Sequence, residues 1–186
     1  EIKEEAFLGC ERLATFDNSE RLITLGDRAF KDCIALESIE FYDNAFVSLG
    51  EYAFENCTAL QDVNLSNECV EIPEGAFANC TLLTNVGMSN NTISVGNSAF
   101  ENCVSLTAAP MKESVISIGE NAYKGCSSLT SVDLPKELHY IGSGAFEGCS
   151  SLGNVEIPAN VLTIGERIFK DNTSLTKVTF ATGSKC

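Results

Sequence analysis

The residues best equipped for chemistry in this chain are nine cysteines and a single histidine, His139. A nucleophile needs a base beside it. No Ser or Cys stands near His139 in a known catalytic spacing. Its slot in a recurring pattern holds Ile23, Val70, Ile93, Ile116 or Leu162 elsewhere. His139 therefore reads as a half-exposed scaffold residue. Metal binding needs Cys or His converging at short spacing, and no such cluster occurs in the sequence. Carboxylates could pair, because Asp17, Glu40, Asp133 and Glu156 share one position of the pattern. Exposed carboxylates lack the burial that tunes acid–base catalysts. No EF-hand or nonapeptide calcium loop is present. The expectation is a non-enzymatic chain with no catalytic residue, cofactor or metal.

The pattern that must position these residues is a repeat. Cys recurs at 10, 33, 57, 80, 103, 126 and 149, and an eighth copy carries Asn172. Each step is 23 residues except that from Cys33 to Cys57, which is 24. Three residues after each position comes a Leu, from Leu13 to Leu175. The first half of a unit reads [I/L/V]-G-x-x-A-F-x-[G/N/D]-C. A short helical turn would aim its Ala and aromatic inward. Before the Cys stand Gly9, Asp32, Asn56, Asn79, Asn102, Gly125, Gly148 and Asp171, all of types that tolerate positive φ. The spacing predicts a left-handed residue closing each helical turn. The Gly at 26, 50, 96, 119, 142 and 165 is expected for close approach, because Pro73 fills the same slot.

The second half, L-x-x-V-x-L, alternates as a strand. A turn and a second apolar pair follow, such as Leu138 and Ile141. One unit cannot bury its own apolar face, so the units must stack into a solenoid. Units six and seven are the most regular, with strands expected at 129–134 and 152–157. Pairing is least secure at Pro110, which interrupts the alternation. The extra residue of unit two is expected as a bulge within 42–46.

The unit resembles the BspA-like bacterial-type leucine-rich repeat, I-G-x-x-A-F-x-x-C-x-x-L-x-x-V-x-L-P, over essentially the whole chain. The resemblance implies a repeat solenoid: a right-handed leucine-rich repeat with a parallel β-sheet on one face and short helical turns on the other. It implies cell-surface or secreted proteins, often adhesins, and transfers no catalytic residue. Residues 1–186 read as a single repeat array. The chain opens inside a unit and neither end carries a polar cap, so a segment of a longer surface protein is expected.

Seven cysteines share one repeat rung, which suits small apolar packing better than bridge geometry. Cys10 to Cys149 are expected to form a buried, reduced ladder. Cys69 also reads as core, and Cys186 as the reactive thiol. The Asn-x-Ser/Thr sequons at Asn56 and Asn79 follow from the repeat itself; others start at Asn64, Asn90 and Asn172.

Formal net charge is −14, which argues against nucleic acid and anionic membranes as partners. No apolar run is long enough to span a membrane. Residues 32–111 contain no Lys or Arg but eleven acids. That distribution serves as a solubilising surface or as a field that draws a basic partner. On the open strand face the outward positions include Glu40, Asp62, Asn64 and Asn85, with Tyr42 the aromatic placed beside them. These five are the candidate protein-binding residues, and a basic protein segment is the expected partner. The rival expectation is a structural spacer, or a solenoid that self-associates end to end through its open ends.

Overall fold

The computed structural model describes residues 1–17, 22, 24–41, 48–65 and 68–184. The expected bulge, Tyr42 and Cys186 lie outside the described residues. Eight coils follow one another, each marked by one rung of an aromatic column: Phe7, Phe30, Phe54, Phe77, Phe100, Tyr123, Phe146 and Phe169. Successive rings stack at centroid separations of 4.9 to 5.9 Å. The rings from Phe30 to Phe146 are fully buried. Each such burial is worth about 1.5–3 kcal/mol.

The strands, all short and parallel, are β1 (Thr15–Phe16), β2 (Ser38–Glu40), β3 (Asp62–Asn64), β4 (Glu71–Ile72), β5 (Asn85–Gly87) and β6 (Ser94–Val95). They continue with β7 (Ser117–Ile118), β8 (Tyr140–Ile141), β9 (Val155–Ile157), β10 (Thr163–Ile164) and β11 (Val178–Phe180). The L-x-x-V-x-L segments build one face. There β1-β2-β3-β5 form a four-stranded sheet and β9-β11 a two-stranded one. Register is strict: Ser38 faces Asp62, and Asp62 faces Asn85. The second apolar pair of each unit builds another sheet, β4-β6-β7-β8-β10. The expectation of a single sheet backed by helical turns is corrected here. The same pleat that buries Ile72, Val95, Ile118 and Ile141 makes the second segment a strand.

The first half of the unit holds hydrogen-bonded turns, with no helix among the described residues. All eight residues before the Cys rung have positive φ, from 59° at Asn102 to 74° at Gly148. A second left-handed set lies four residues earlier: Glu5, Arg28, Tyr52, Gly75, Ser98, Asn121, Gly144 and Arg167. Two reversals per half-unit leave no room for helical propagation. They also redirect the backbone. The N–H groups of Phe7 and Gly9 reach the carbonyls of Ala29 and Lys31 in the next coil, each at 2.8 Å. The alternate N–H of Leu8 closes a local turn onto Glu5 O. The turn face is thus a hydrogen-bond ladder between coils.

That close stacking explains the repeated Gly. A Cβ on Gly50 would come within 2.3 Å of Asp27 N, and one on Gly165 within 2.3 Å of Ser143 N. The thiol rung has an equally specific role. Cys33 Sγ donates to Phe7 O, Cys57 to Phe30 O, Cys80 to Phe54 O and Cys103 to Phe77 O, each at 3.1 Å. A Cys supplies a small apolar body and a weak donor for a carbonyl that faces the core. The cysteines at 33, 57, 69, 80, 103, 126 and 149 are free and buried. Cys10 is exposed, contrary to expectation. The Cys33 thiol packs on Phe7 O of coil one, and Cys10, itself in coil one, has no such carbonyl among the described residues.

Candidate interaction face

The outward positions of the first sheet come from residues flanking each buried Val or Ile. Thr15, Ser38, Asp62, Asn64 and Asn85 are exposed, as are Asp133, Asn154, Glu156 and Lys177 farther along. Strand pairing sets Glu40 opposite Asn64 and Asp62 opposite Asn85. Four of the five candidate residues are therefore brought into one patch of three coils. Tyr42, the fifth, lies outside the described residues. The Asp62 carboxylate accepts a 3.5 Å hydrogen bond from the Thr84 hydroxyl. Asn64 leans toward the next coil, where its Oδ1 lies 2.4 Å from the point a Cβ on Gly87 would occupy.

The face is interrupted twice. No strand pairing joins β5 to coil five, and coil six keeps a single bridge, Ala108 with Ser131. The first break sits at Pro110, where pairing was least expected. At the preceding junction Leu65 N–H binds Gly87 O at 2.9 Å. One coil on, the equivalent carbonyl is that of Pro110, and it accepts the Tyr123 hydroxyl at 2.7 Å instead. Tyr123 is the one hydroxylated rung of the aromatic column. Coil six, expected as one of the most regular strands, forms none. Its neighbour offers Pro110, which has no N–H to donate.

Grooves open at both breaks. One of about 400 Å³ lies between coils four and five, walled by Asn85, Met88, Pro110 and Met111. A larger one of about 830 Å³ spans coils six to eight and is lined by Asp133, Glu137, Asn154, Glu156, Lys136 and Lys177. The sequence reading set Asp133 and Glu156 at one pattern position with Glu40 but did not offer them as binding residues. What it lacked was the sheet break that hollows the surface beneath them.

Other chemistry is confined. Burial raises the Cys33 and Cys69 thiols to about 11 and Cys149 to about 12, which suppresses the nucleophilic thiolate. His139 is exposed on the second sheet's flank. Among the described residues no three His, Cys, Asp or Glu side chains converge to hold a metal ion. No helix there is long and apolar enough to cross a membrane. Asn56 and Asn79, the repeat-derived sequons, belong to an amide ladder. Asn56 Nδ2 donates to Asp32 Oδ1 at 2.6 Å, and Asn79 Nδ2 to Asn56 Oδ1 at 2.9 Å.

Comparison with known proteins agrees with this architecture. A leucine-rich repeat protein from Bacteroides ovatus is 32% identical over 88% of this chain, with a TM-score of 0.73. The chain spans 41% of that protein's length. The T. pallidum leucine rich repeat protein is 26% identical over 89% of this chain and 72% of its own, with a TM-score of 0.71. No curated protein matches significantly. The family model described as BspA type Leucine rich repeat region matches six copies over residues 1–127 and 94–185. With the period, the aromatic and thiol columns and this match in hand, the chain belongs to the BspA-type leucine-rich repeat family.

Proposed function

We propose that this chain is a non-enzymatic, adhesin-like protein-binding segment of a longer cell-surface or secreted protein. Its binding element is the open face of the first sheet. One observation carries the reading. From β1 to β5 the described outward side chains at Thr15, Asp17, Ser38, Asp62, Asn64 and Asn85 are exposed and polar, and none is a base. Glu40 and Asp62 stand on neighbouring strands two residues out of register, so their backbone positions are about 8 Å apart, close to one Debye length at physiological salt, and their charges add to one field. Such a field speeds association with a basic segment, and an aromatic such as Tyr42 supplies contact energy.

The test is titration of a lysine-rich peptide against the wild-type chain and the triple variant Glu40→Gln, Tyr42→Ala, Asp62→Asn. Folding is expected to be unchanged, and affinity to fall by roughly tenfold at physiological salt. Unchanged affinity would remove this face as the binding site.

A second reading, end-to-end assembly, draws support from the polarity of the turn ladder. Each coil donates N–H groups to the carbonyls of the next, so opposite faces of a coil are complementary. Light scattering that grows with concentration would favour assembly, and a concentration-independent monomer would exclude it.

A further inference from the structure

The second sheet presents a surface of another kind. Immediately before its strands runs a column of one residue per coil: Val70, Ile93, Ile116, His139 and Leu162. Backbone hydrogen bonds of 2.8 to 2.9 Å link each to the next. These are outward positions, yet four of the five are large and apolar. Val70 is 50% exposed, Ile93 49%, Ile116 40% and Leu162 56%. The first sheet's outward columns hold no large apolar side chain on the described coils. At four strand steps of about 4.8 Å the stripe is roughly 19 Å long and one residue wide.

Its surroundings are acidic. Glu68 and Glu71 flank the stripe, and a groove of about 310 Å³ beside it is walled by Glu51, Glu71 and Glu74, with Tyr140 closing the far end. None of the ion pairs among the described residues involves Glu51, Glu68, Glu71, Glu74 or Glu120. The bases paired there, Arg28, Lys31, Lys124 and Lys170, all serve acids of the turn face. Lys112 and Lys136, in the loops entering the second sheet, are the nearest other cations in sequence.

The geometry points to this flank as a docking site for one extended segment of another protein, with apolar side chains on one face and Lys or Arg beside them. An interface needs a desolvated apolar centre and a complementary rim. The stripe supplies the first. Glu51, Glu68 and Glu71, with no Lys or Arg partner among the described residues, supply the second, while Glu74 accepts the Tyr52 hydroxyl. Width selects an extended chain. Side chains on one face of a strand repeat at about 6.6–6.8 Å, so seven residues cover the stripe with alternate positions as anchors. A second copy of this chain would set the same carboxylates against themselves, and an anionic lipid surface would be repelled. The site is distinct from the first-sheet face, and its test is independent of that reading.

Two heptapeptides serve as probes, one alternating leucine with lysine and one alternating leucine with glutamate, measured by calorimetry at several salt concentrations. The lysine peptide binds the wild-type chain, and the glutamate peptide does not. Ile93→Ser with Ile116→Ser lowers affinity by roughly tenfold or more. His139→Leu, which completes the stripe, raises it. Glu51→Gln with Glu71→Gln weakens binding and flattens its salt dependence. Glu11→Gln, an exposed acid in coil one outside both sheets, leaves it unchanged. Circular dichroism confirms that each variant folds, and His139→Leu keeps the test decisive should the serine variant fail to fold. The proposal is overturned if the serine variant binds as the wild type does, which marks plain charge capture, or if both peptides bind equally. It is also overturned if the wild-type chain is a dimer that Ile116→Ser dissociates, which assigns the stripe to a second copy.

Discussion

At the scale of single residues, the slot before each L-x-x-V strand shows how tightly one coil specifies the next. Cys fills it in coils one to seven, and from coil two onward the thiol meets a backbone carbonyl of the coil before. Coil eight carries Asn172, whose amide nitrogen and oxygen are both buried without a hydrogen-bond partner among the described residues. An unsatisfied buried polar group costs about 1–3 kcal/mol. Asn172→Cys is expected to stabilise the chain by about that amount, with the new thiol facing Phe146 O as Cys149 faces Tyr123 O at 3.2 Å. Urea denaturation of the two proteins reads the difference, and a lower midpoint for the variant would refute it. The other thiols make stability depend on alkaline pH. Burial raises their ionisation above the ordinary 9.0, to about 11 for Cys33 and about 12 for Cys149. Below 9 both folded and unfolded chains keep these protons, and the contribution is fully present. Above 9 the unfolded chain ionises first, and the contribution is lost as pH climbs through 11 to 12. The midpoint is expected to fall over that window, and less steeply once Cys33 and Cys149 are replaced by Ala.

Individual elements mark how far sequence reading reached. The left-handed residue before each Cys was legible because only Gly, Asn and Asp occur there, types chosen for local backbone freedom. Its companion four residues earlier was not, because Glu, Arg, Tyr and Ser also occupy it. At that position the conformation is imposed by the N–H bond to the next coil, such as Arg28 N–H to Glu51 O at 2.9 Å, and local preference is overridden. A helix was the natural expectation from Ala and Phe spacing alone. The outward positions of Asp62, Asn64 and Asn85 were legible because period-two alternation fixes which side chains face out. The groove walled by Pro110 was not, because the Pro110 carbonyl is turned to a partner 13 residues away, the Tyr123 hydroxyl. That contact yields its own expectation. Tyr123→Phe keeps the aromatic column and removes only the donor, and leaving the turned-in carbonyl unpaired costs about 1–3 kcal/mol. Comparison with Phe146→Tyr, where no such carbonyl is recorded, separates this pairing from a general effect of the hydroxyl. Equal stability of Tyr123→Phe and the wild type would show that the carbonyl finds another partner.

For the molecule as a whole, the two sides of each coil contribute unequally to continuity. Strand pairing on the first sheet fails between coils four and five and again between coils six and seven. The turn ladder does not fail at either place. At the first, Phe77 N–H binds Ala99 O at 2.8 Å and Asn79 N–H binds Glu101 O at 2.7 Å. At the second, Tyr123 N–H binds Ala145 O and Gly125 N–H binds Glu147 O, each at 2.8 Å. The buried aromatic and thiol columns run through both. The turn face is therefore the structural spine, and the first sheet can vary in pairing without dividing the array. Nearest-neighbour coupling in a solenoid passes through whatever contacts survive at each junction, so coils four and five are expected to unfold together although their strands do not pair. Amide hydrogen exchange tests this directly. Leu65 and Met88 occupy equivalent slots with equally buried side chains, at 7% and 6% exposure, but only Leu65 N–H has its strand partner. Phe77 and Asn79 are expected to exchange slowly, at the rate of global opening, and Leu65 with them. Met88 is expected to exchange faster by local opening. If Met88 were as protected as Leu65, the first sheet would be continuous in solution. If Phe77 and Asn79 exchanged as fast as Met88, the junction between coils four and five would be a hinge, and the turn face would not be the spine.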